Sequence, residues 1–400
     1  MPIKRALILS GGGARAAYQV GVLKALAEIL PDDAPNPFPI ICGTSAGAIN
    51  ALSLACHTGN FSEAVADLEQ IWQDLTPAQI YRADLWALLR GFSRLGASLF
   101  NEGVGRHRPL SLLDNSPLRQ LIEDRIQFDQ IDLGIAQGQL DAVCVTAMGY
   151  SSGQSVSFYQ GSPRIVPWDR HRRHGNPCKL SVDHLMASSA IPTIFPTVRI
   201  NREYFGDGAL RQLAPISPAL HMGAERVFVV GVSGNRNPQH WGKRRRTRHS
   251  PSMAQIMGHL LASAFIDSLE GDIERLERIN QLIALIDPDQ RAEQGLPLKQ
   301  VDSLVISPSK ELDKIAGQKI RYLPRTLRFF MRAVGATAKG GGATAASYLL
   351  FAQPFCQALI DLGYKDTMWE RDSIKRFFSE PCQLPSNEDP SKSELVTSNP

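Results

Sequence analysis

Residues 41–50 read Ile-Cys-Gly-Thr-Ser-Ala-Gly-Ala-Ile-Asn. Apolar residues precede Gly43 and helix-forming residues follow Gly47, so the pattern predicts a short buried strand, a tight turn and a helix. A serine on such a turn projects away from the backbone, and the two glycines leave room where a Cβ atom would clash. The positive end of the helix favours the alkoxide form of Ser45. We therefore predict that Ser45 is a catalytic nucleophile.

A glycine-rich turn follows the first apolar run of the chain. That run, residues 6–9, predicts a buried parallel strand, and a helical pattern begins just after the turn. A loop of this kind points several backbone N–H groups at one spot and can hold an anion. Neighbouring parallel strands place their C-terminal turns side by side, so the loop should lie beside Ser45. We predict that Gly11, Gly12 and Gly13 form an oxyanion hole.

Two alternatives for this glycine loop stay open, a structural turn and a nucleotide-binding loop. Gly11, Gly13 and Ala16 satisfy the dinucleotide fingerprint that a nucleotide-dependent oxidoreductase would carry. That fingerprint requires an acid at the end of the second strand, whereas Asp32 and Asp33 precede the strand here. A P-loop is excluded because the Gly-Lys-Ser/Thr sequence is missing.

A nucleophilic serine needs a base, and Asp207 is our candidate. It is flanked by two glycines after a predicted hairpin. In isolation an Asp-Gly pair only marks a turn, but the need for a base favours a catalytic role. An alternative with the same nucleophile is a Ser-His-Asp triad, in which His221, His240 or His259 would lie between Ser45 and Asp207.

The chain contains a second Gly-x-Ser-x-Gly sequence at residues 149–153. Residues 154–159 after it alternate with a period of two, as a strand does, rather than with the period of a helix. This copy is therefore predicted to be a hairpin turn with no helix behind it. We do not expect Ser151 to be a nucleophile.

Composition limits the remaining possibilities. The net charge of +4 on 400 residues gives no general electrostatic reason to expect nucleic acid as a partner. Six scattered cysteines without a C-x-x-C pair favour a reduced, cytoplasmic setting, and we expect neither a metal nor a cofactor. No run approaches the ~18 apolar residues of a membrane span, so membrane contact should be peripheral, at the inner membrane surface.

Helical periodicity over residues 61–100 predicts a helical layer above the sheet. An alternative is that Trp86, Leu89 and Phe92 within it line an acyl-chain groove or a lid.

A basic amphipathic helix is predicted from residue 322 onward. Arg325, Arg328 and Arg332 fall on one face of its helical wheel, and apolar residues fall on the other. This pattern is typical of helices that lie on a membrane surface or bind a partner. A helix that packs its apolar face on its own domain has the same wheel, and both interpretations stay open.

Four segments in this order and spacing resemble the patatin-like phospholipases, bacterial members in particular. The segments are Gly-Gly-Gly-Ala-Arg at 11–15, Gly-Thr-Ser-Ala-Gly at 43–47, Ala-Ser-Ser-Ala-Ile-Pro at 187–192 and Asp-Gly-Ala at 207–209. The similarity covers roughly residues 3–310. The patterns around 347–351 and 362–364 resemble an extension found in bacterial relatives.

The resemblance implies a three-layer α/β/α fold with a mostly parallel central sheet, plus a helical C-terminal extension. It also implies a dyad of Ser45 and Asp207 without a catalytic histidine. The glycine loop would supply the oxyanion hole, and Arg15 would help to fix that loop. Two departures are Ser10, where plant enzymes have Asp, and Ala16, where many members have Gly.

These observations together predict an acyl-hydrolase domain at 1–310, a helical extension with the basic helix at 311–382 and a disordered tail at 383–400. The expected function is phospholipase A-type cleavage of phospholipid esters. Alternatives on the same site are a lysophospholipase, a neutral-lipid esterase or a thioesterase. A non-catalytic alternative is a membrane-associated protein that binds lipid without hydrolysing it. The sequence does not indicate an oligomeric state.

Overall fold

The computed structural model describes residues 3–84, 88–91, 93, 111–233, 256, 268–294, 298–333 and 342–379. The predicted tail at 383–400, the side chains of Trp86 and Phe92, and His240 and His259 lie outside these residues.

One sheet forms the centre of the described part of the molecule. Its strands are β1 (Arg5–Leu9), β2 (Ile40–Thr44), β3 (Ala142–Gly149), β4 (Ser155–Gly161), β5 (Asp169–Arg170), β6 (Arg173–Pro177), β7 (Val198–Ile200), β8 (Glu203–Asp207), β9 (Arg226–Val230) and β10 (Asp302–Ile306). The predicted hairpin around 149–153 is the turn between β3 and β4. Residues 164–179 contain the short β5–β6 hairpin.

The strand order places the two predicted turns next to each other. Strands β10, β9, β1, β2 and β3 lie side by side in that order, and each neighbouring pair is parallel. Leu9 pairs with Gly43, so β1 and β2 end at the same edge. Strand β8 pairs antiparallel with β3, with Ala147 opposite Asp207. This edge therefore collects the glycine loop, the serine turn and Asp207.

Both faces of the sheet are covered, because successive residues of a strand point to opposite sides. Leu7, Leu9 and Ile41 belong to one buried cluster, whereas Ile8 and Cys42 belong to a second cluster on the opposite face. This arrangement confirms the predicted α/β/α fold with helices on either side of the sheet.

The helices cover these two faces. They are α1 (Ala17–Ile29), α2 (Ala46–Ala55), α3 (Phe61–Gln73), α4 (Pro77–Ile80), α5 (Ser116–Arg125), α6 (Gln130–Ala136), α7 (Val182–Ser188), α8 (Ser217–His221), α9 (Ser268–Ala284), α10 (Pro288–Glu293), α11 (Leu312–Lys319), α12 (Arg325–Ala333), α13 (Gly342–Leu349), α14 (Gln353–Trp369) and α15 (Arg371–Ser379).

The C-terminal helices pack on the same core as the glycine loop and α1. Tyr348, Phe355 and Leu359 are almost completely buried, and Tyr18 on α1 donates a hydrogen bond of 3.1 Å to Asp366 on α14. Taken singly, no described helix is long and apolar enough to cross a membrane. The pair Ala343–Leu349 and Gln353–Trp369, bent by 95°, meets that length and composition only in combination.

Candidate active site

Ser45 occupies a strained turn between β2 and α2. Its backbone has φ 54° and ψ −131°, a region that residues with a Cβ atom rarely adopt. The side chain is 2% exposed. Strain of this kind at a strand-to-helix turn is typical of catalytic serines, because it aims the hydroxyl away from the neighbouring backbone.

The glycines on either side of Ser45 lie where the backbone is crowded. A Cβ atom on Gly43 would lie 2.4 Å from the Cα atom of Ala48, and one on Gly47 would lie 2.4 Å from the carbonyl oxygen of Leu9. The close approach at Gly47 brings the beginning of α2 against the end of β1. The serine turn and the glycine loop are therefore in direct contact.

Asp207 lies within hydrogen-bond distance of Ser45. The Ser45 hydroxyl donates to Oδ2 of Asp207 at 2.6 Å, across 162 positions of sequence. The other carboxylate oxygen, Oδ1, accepts the backbone N–H of Ala209 at 3.0 Å. Asp207 is completely buried at the end of β8. A carboxylate that accepts from a serine hydroxyl can remove its proton directly.

Burial raises the pKa of Asp207 from 3.8 to about 7, because removal from water disfavours the charged form. The hydrogen bonds from Ser45 and from the Ala209 N–H oppose this rise. A pKa near neutrality suits a general base, which must take up a proton and release it again at the pH of the reaction.

The glycine loop borders the same cavity as Ser45. Gly13 has φ +56° and begins a 3-10 turn, Gly13–Ala16, that leads into α1. Gly13 and Ser45 both line this cavity. Arg15, in that turn, is 3% exposed and forms an ion pair with Asp313. Of the three glycines, Gly13 thus shares the cavity wall with Ser45, and Arg15 lies in the turn that Gly13 begins.

Ser188 is a residue of the site for which sequence analysis assigned no role. Its hydroxyl accepts the backbone N–H of Ser45 at 2.8 Å and donates to the carbonyl oxygen of Thr146 at 2.6 Å. It therefore ties the strained turn to β3. The neighbouring Ala190 accepts the backbone N–H of Asp207 at 3.0 Å. The run of small residues at 187–190 was the sequence signal, since small residues allow this close packing.

An apolar cavity extends from Ser45 into the helical layer. It encloses about 700 Å³ of atom-free space, its open mouth included. Its walls are mainly apolar side chains of α2, α3 and α5, together with Phe195 and Phe351. Leu89, which the sequence suggested for an acyl groove, is 45% exposed and is not among the residues that line this cavity. Trp86 and Phe92 lie outside the described residues.

His221, a candidate third member of a triad, is engaged away from Ser45. His221 stacks on Trp168 with ring centroids 4.8 Å apart, and burial lowers its pKa to about 4, helped by Arg170 and Arg173. In the described part of the chain no histidine hydrogen-bonds to Ser45 or Asp207. Nor do the described residues contain a group of three or more His, Cys, Asp or Glu side chains able to hold a metal ion.

The basic helix α12 uses its apolar face for packing on the domain. Leu327 and Met331 are buried in the main core, whereas Arg325 and Arg332 are exposed and Arg328 is half-buried. Phe329, on the arginine side, is 69% exposed.

Comparison with known proteins identifies the family. The family model described as patatin-like phospholipase matches residues 7–220, which is more than half of the chain. The chain belongs to the patatin-like phospholipase family. The patatin domain thus includes Ser45 and Asp207, and the match ends before the C-terminal helices.

Two bacterial relatives of this patatin-like chain are each named cGAMP-activated phospholipase. The relative from Pseudomonas aeruginosa is 30% identical over 230 residues, which cover 55% of this chain and 57% of that protein. The relative from Escherichia coli is 29% identical over 222 residues, which cover 52% of each. The chain thus spans about half the length of these relatives.

The similarity to solved structures is weaker. Human GIVD cytosolic phospholipase A2, in complex with methyl gamma-linolenyl fluorophosphonate, has a TM-score of 0.35 at 12% identity, covering 94% of this chain and 59% of that one. VipD from Legionella pneumophila has a TM-score of 0.33 at 11% identity, covering 93% and 67%. Similarity at this level transfers nothing about the site to this chain.

Proposed function

We propose that this patatin-like protein is a lipid acyl hydrolase of the phospholipase A type, with Ser45 as nucleophile and Asp207 as base. The observation that carries the proposal is the 2.6 Å hydrogen bond from the Ser45 hydroxyl to the buried Asp207 carboxylate. The bond lies at the end of an apolar cavity, the environment that a fatty acyl chain requires.

The reaction has two steps in this proposal. Asp207 takes the hydroxyl proton while the Ser45 oxygen attacks the ester carbonyl carbon, and the N–H groups of the glycine loop stabilise the tetrahedral oxyanion. Asp207 then gives its proton to the leaving alcohol, which leaves an acyl-serine. Water loses a proton to Asp207 and attacks the acyl carbon. Asp207 then returns this proton to the Ser45 oxygen as the acyl–oxygen bond breaks, which releases the fatty acid and restores both residues.

Covalent labelling tests this assignment. A fluorophosphonate with a long alkyl chain should modify Ser45, because the probe combines a serine-reactive phosphorus with an apolar chain that matches the apolar lining of the cavity. Mass spectrometry of the digested protein locates the adduct, and Ser45→Ala should carry none. An adduct on any other serine would contradict the role of Ser45.

Turnover is measured as fatty acid released from phospholipid vesicles, lysophospholipid, neutral lipid and an acyl thioester. The expected preference is for phospholipid. Because both bacterial relatives are named as cGAMP-activated, each substrate is tested with and without cGAMP. Binding to vesicles without release of fatty acid from any substrate would instead favour a lipid-binding protein that lacks turnover.

The proposal includes peripheral contact with an anionic membrane, such as the inner membrane surface, through α12. Since its apolar face is buried in the domain, the outward side presents Arg325, Arg328 and Arg332 around the exposed Phe329. Basic residues near an anionic surface contribute about 1 kcal/mol each, and an aromatic ring can enter the interface.

Replacing Arg325, Arg328 and Arg332 together by Gln should weaken binding to vesicles with anionic lipid by roughly 100-fold at low salt. The variant should also lose most of the salt dependence of binding. Co-sedimentation with vesicles at several salt concentrations measures both effects.

The matched control removes three exposed positive charges from other C-terminal helices: Lys365, Lys375 and Arg376, each changed to Gln. Equal weakening by both triple variants would mean that net charge, and not the face of α12, determines vesicle binding.

A further inference from the structure

Arg15 connects the glycine loop to the rest of the protein. Its backbone N–H donates to the carbonyl oxygen of Gly12 at 3.2 Å, which closes the turn after the glycines. Its side chain is 3% exposed. A buried guanidinium keeps its charge and needs partners for its donors, so the groups that bind Arg15 also fix the loop.

The Arg15 side chain contacts residues of the C-terminal extension. Nη2 forms an ion pair with Asp313 at the beginning of α11, and Nε donates to the hydroxyl of Ser347 on α13 at 2.7 Å. The guanidinium also lies 4.3 Å from the centre of the Tyr348 ring. These residues are about 300 or more positions away from Arg15 in sequence.

Asp313 is itself held in place. Its Oδ2 accepts the hydroxyl of Thr344 at 2.6 Å, and Ser347 donates to the carbonyl oxygen of Thr344 at 2.6 Å. Asp313 remains 37% exposed, so it meets Arg15 at the edge of the core. Helices α11 and α13 together present one oriented carboxylate to one buried guanidinium.

Tyr348 and Phe351, which follow Ser347 in the chain, contact the glycine loop and the cavity directly. The backbone of Tyr348 lies against Gly13, since a Cβ atom there would come within 2.3 Å of the Tyr348 carbonyl oxygen. Phe351 lines the cavity that begins at Ser45 and stacks on Trp72, with ring centroids 6.2 Å apart.

We propose that helices α11 and α13, together with Phe351, complete the acyl-hydrolase site, and that Asp313 is a positioning residue that acts through Arg15 on the N–H donors of the glycine loop. The inference rests on the function proposed above. It assigns a role in the reaction to a part of the chain that lies beyond residues 7–220, where the family match ends.

Loss of Asp313 should lower kcat and leave KM nearly unchanged. The donors of an oxyanion hole act on charge that develops in the transition state, and the ground-state ester gains little from them. For Asp313→Asn we expect kcat to fall about tenfold or more, since the isosteric amide keeps the shape but loses the charge. Steady-state kinetics on phospholipid vesicles measures both constants.

A double-mutant cycle with Arg15→Gln tests whether Asp313 acts through Arg15. We expect the double variant to have the same kcat as Arg15→Gln alone, because the carboxylate has no route to the loop once the guanidinium is gone. Independent, multiplicative losses in the double variant would overturn the inference.

Asp366→Asn is the matched control. Asp366 also lies in the C-terminal extension and accepts hydrogen bonds from Tyr18 and Ser309, but it makes no recorded contact with the glycine loop. The Asp366→Asn substitution should lower the melting temperature of the protein without changing kcat at temperatures where the protein is folded. If Asp313→Asn behaves in the same way, its role is only structural and the inference is wrong.

Labelling of Ser45 by the fluorophosphonate separates this inference from the proposed function. Attack on phosphorus also builds negative charge on an oxygen beside the glycine loop, so Asp313→Asn should slow labelling about as much as turnover. If the wild-type protein is not labelled at Ser45, the proposed function fails. Labelling and turnover that are normal in Asp313→Asn contradict only the role of Asp313.

Discussion

Replacement of Asp207 by Asn is expected to lower turnover by roughly 10³-fold or more and to make the folded protein more stable at pH 8. The amide has the shape of the carboxylate and can still accept the N–H of Ala209, but it cannot take the proton of Ser45. A catalytic role for Asp207 thus predicts loss of activity without loss of structure.

The gain in stability follows from the raised pKa of Asp207. Folding moves this pKa from 3.8 to about 7. This shift means that the folded state disfavours the charged form of Asp207 by a free energy on the order of 4 kcal/mol. Between these pH values the folded protein binds more protons than the unfolded chain. Asp207 therefore destabilises the fold progressively as the pH rises from about 4 to about 7, and at pH 8 the full cost is present.

Thermal unfolding of both proteins at several pH values measures this effect. We expect Asp207→Asn to be more stable at pH 8 by about 1 to 3 kcal/mol, and the difference to disappear near pH 4. In the wild type, kcat/KM should fall about tenfold per pH unit below pH 6, because the base becomes protonated.

The control is Asp272→Asn. Asp272 is a buried carboxyl group whose pKa is also raised by burial, but it accepts the N–H of Ile216, a residue of the buried cluster on the opposite face of the sheet. Its replacement should leave turnover intact. Substantial turnover by Asp207→Asn, with Asp272→Asn equally active, would show that Asp207 is not the base.

Replacement of Gly13 by Ala is expected to lower kcat by roughly 100-fold, the effect of losing an oxyanion donor in other acyl-transfer enzymes. It should also lower the free energy of unfolding by about 2 to 4 kcal/mol. Gly13 has φ +56°, and the new Cβ atom would lie 2.3 Å from the carbonyl oxygen of Tyr348. The backbone of Tyr348 cannot rotate away as a side chain could, so the loop or α13 must move.

Gly138→Ala is the control that separates the backbone strain of Gly13→Ala from its steric clash with Tyr348. Gly138 has φ +72°, and no atom lies within 4 Å of the position of its Cβ. The free energy of unfolding of this variant should fall by about 1 kcal/mol from backbone strain alone, and its kcat should not change. Urea unfolding and vesicle kinetics on both variants provide the comparison. A normal kcat in Gly13→Ala would argue against the oxyanion-hole assignment.

The parts of the site that depend on local backbone geometry were predictable. The turn at Ser45 is encoded within five residues, because Gly43 and Gly47 are the residue type that crowded backbone allows. Apolar runs predicted the central strands, and the two-residue alternation after residue 153 predicted the β3–β4 hairpin. Asp207 was harder, and became a candidate only because Ser45 required a base.

Other parts depend on which segments meet, and no local pattern encodes that. The helical wheel of α12 left two interpretations open, and burial of Leu327 and Met331 shows that its apolar face packs on the domain. As an alternative to a helical layer, the sequence offered Trp86, Leu89 and Phe92 as the lining of an acyl groove; of these the structure describes Leu89, which does not line the cavity. The described cavity is instead lined by α2, α3, α5 and Phe351, a residue more than 300 positions away from Ser45.

The sequence by itself therefore determined the turn that carries Ser45 and the glycine loop beside it, because short-range sterics and hydrophobic periodicity govern these features, while the fold class followed from the resemblance to a known family. The tertiary structure alone decided that Ser188 holds the turn to β3 and that Asp313 and Ser347 bind Arg15. The contacts of Ser188 with Ser45, and of Arg15 with Asp313 and Ser347, join residues 143 or more positions apart. Their formation depends on how the helices pack over the sheet, which is a property of the whole chain.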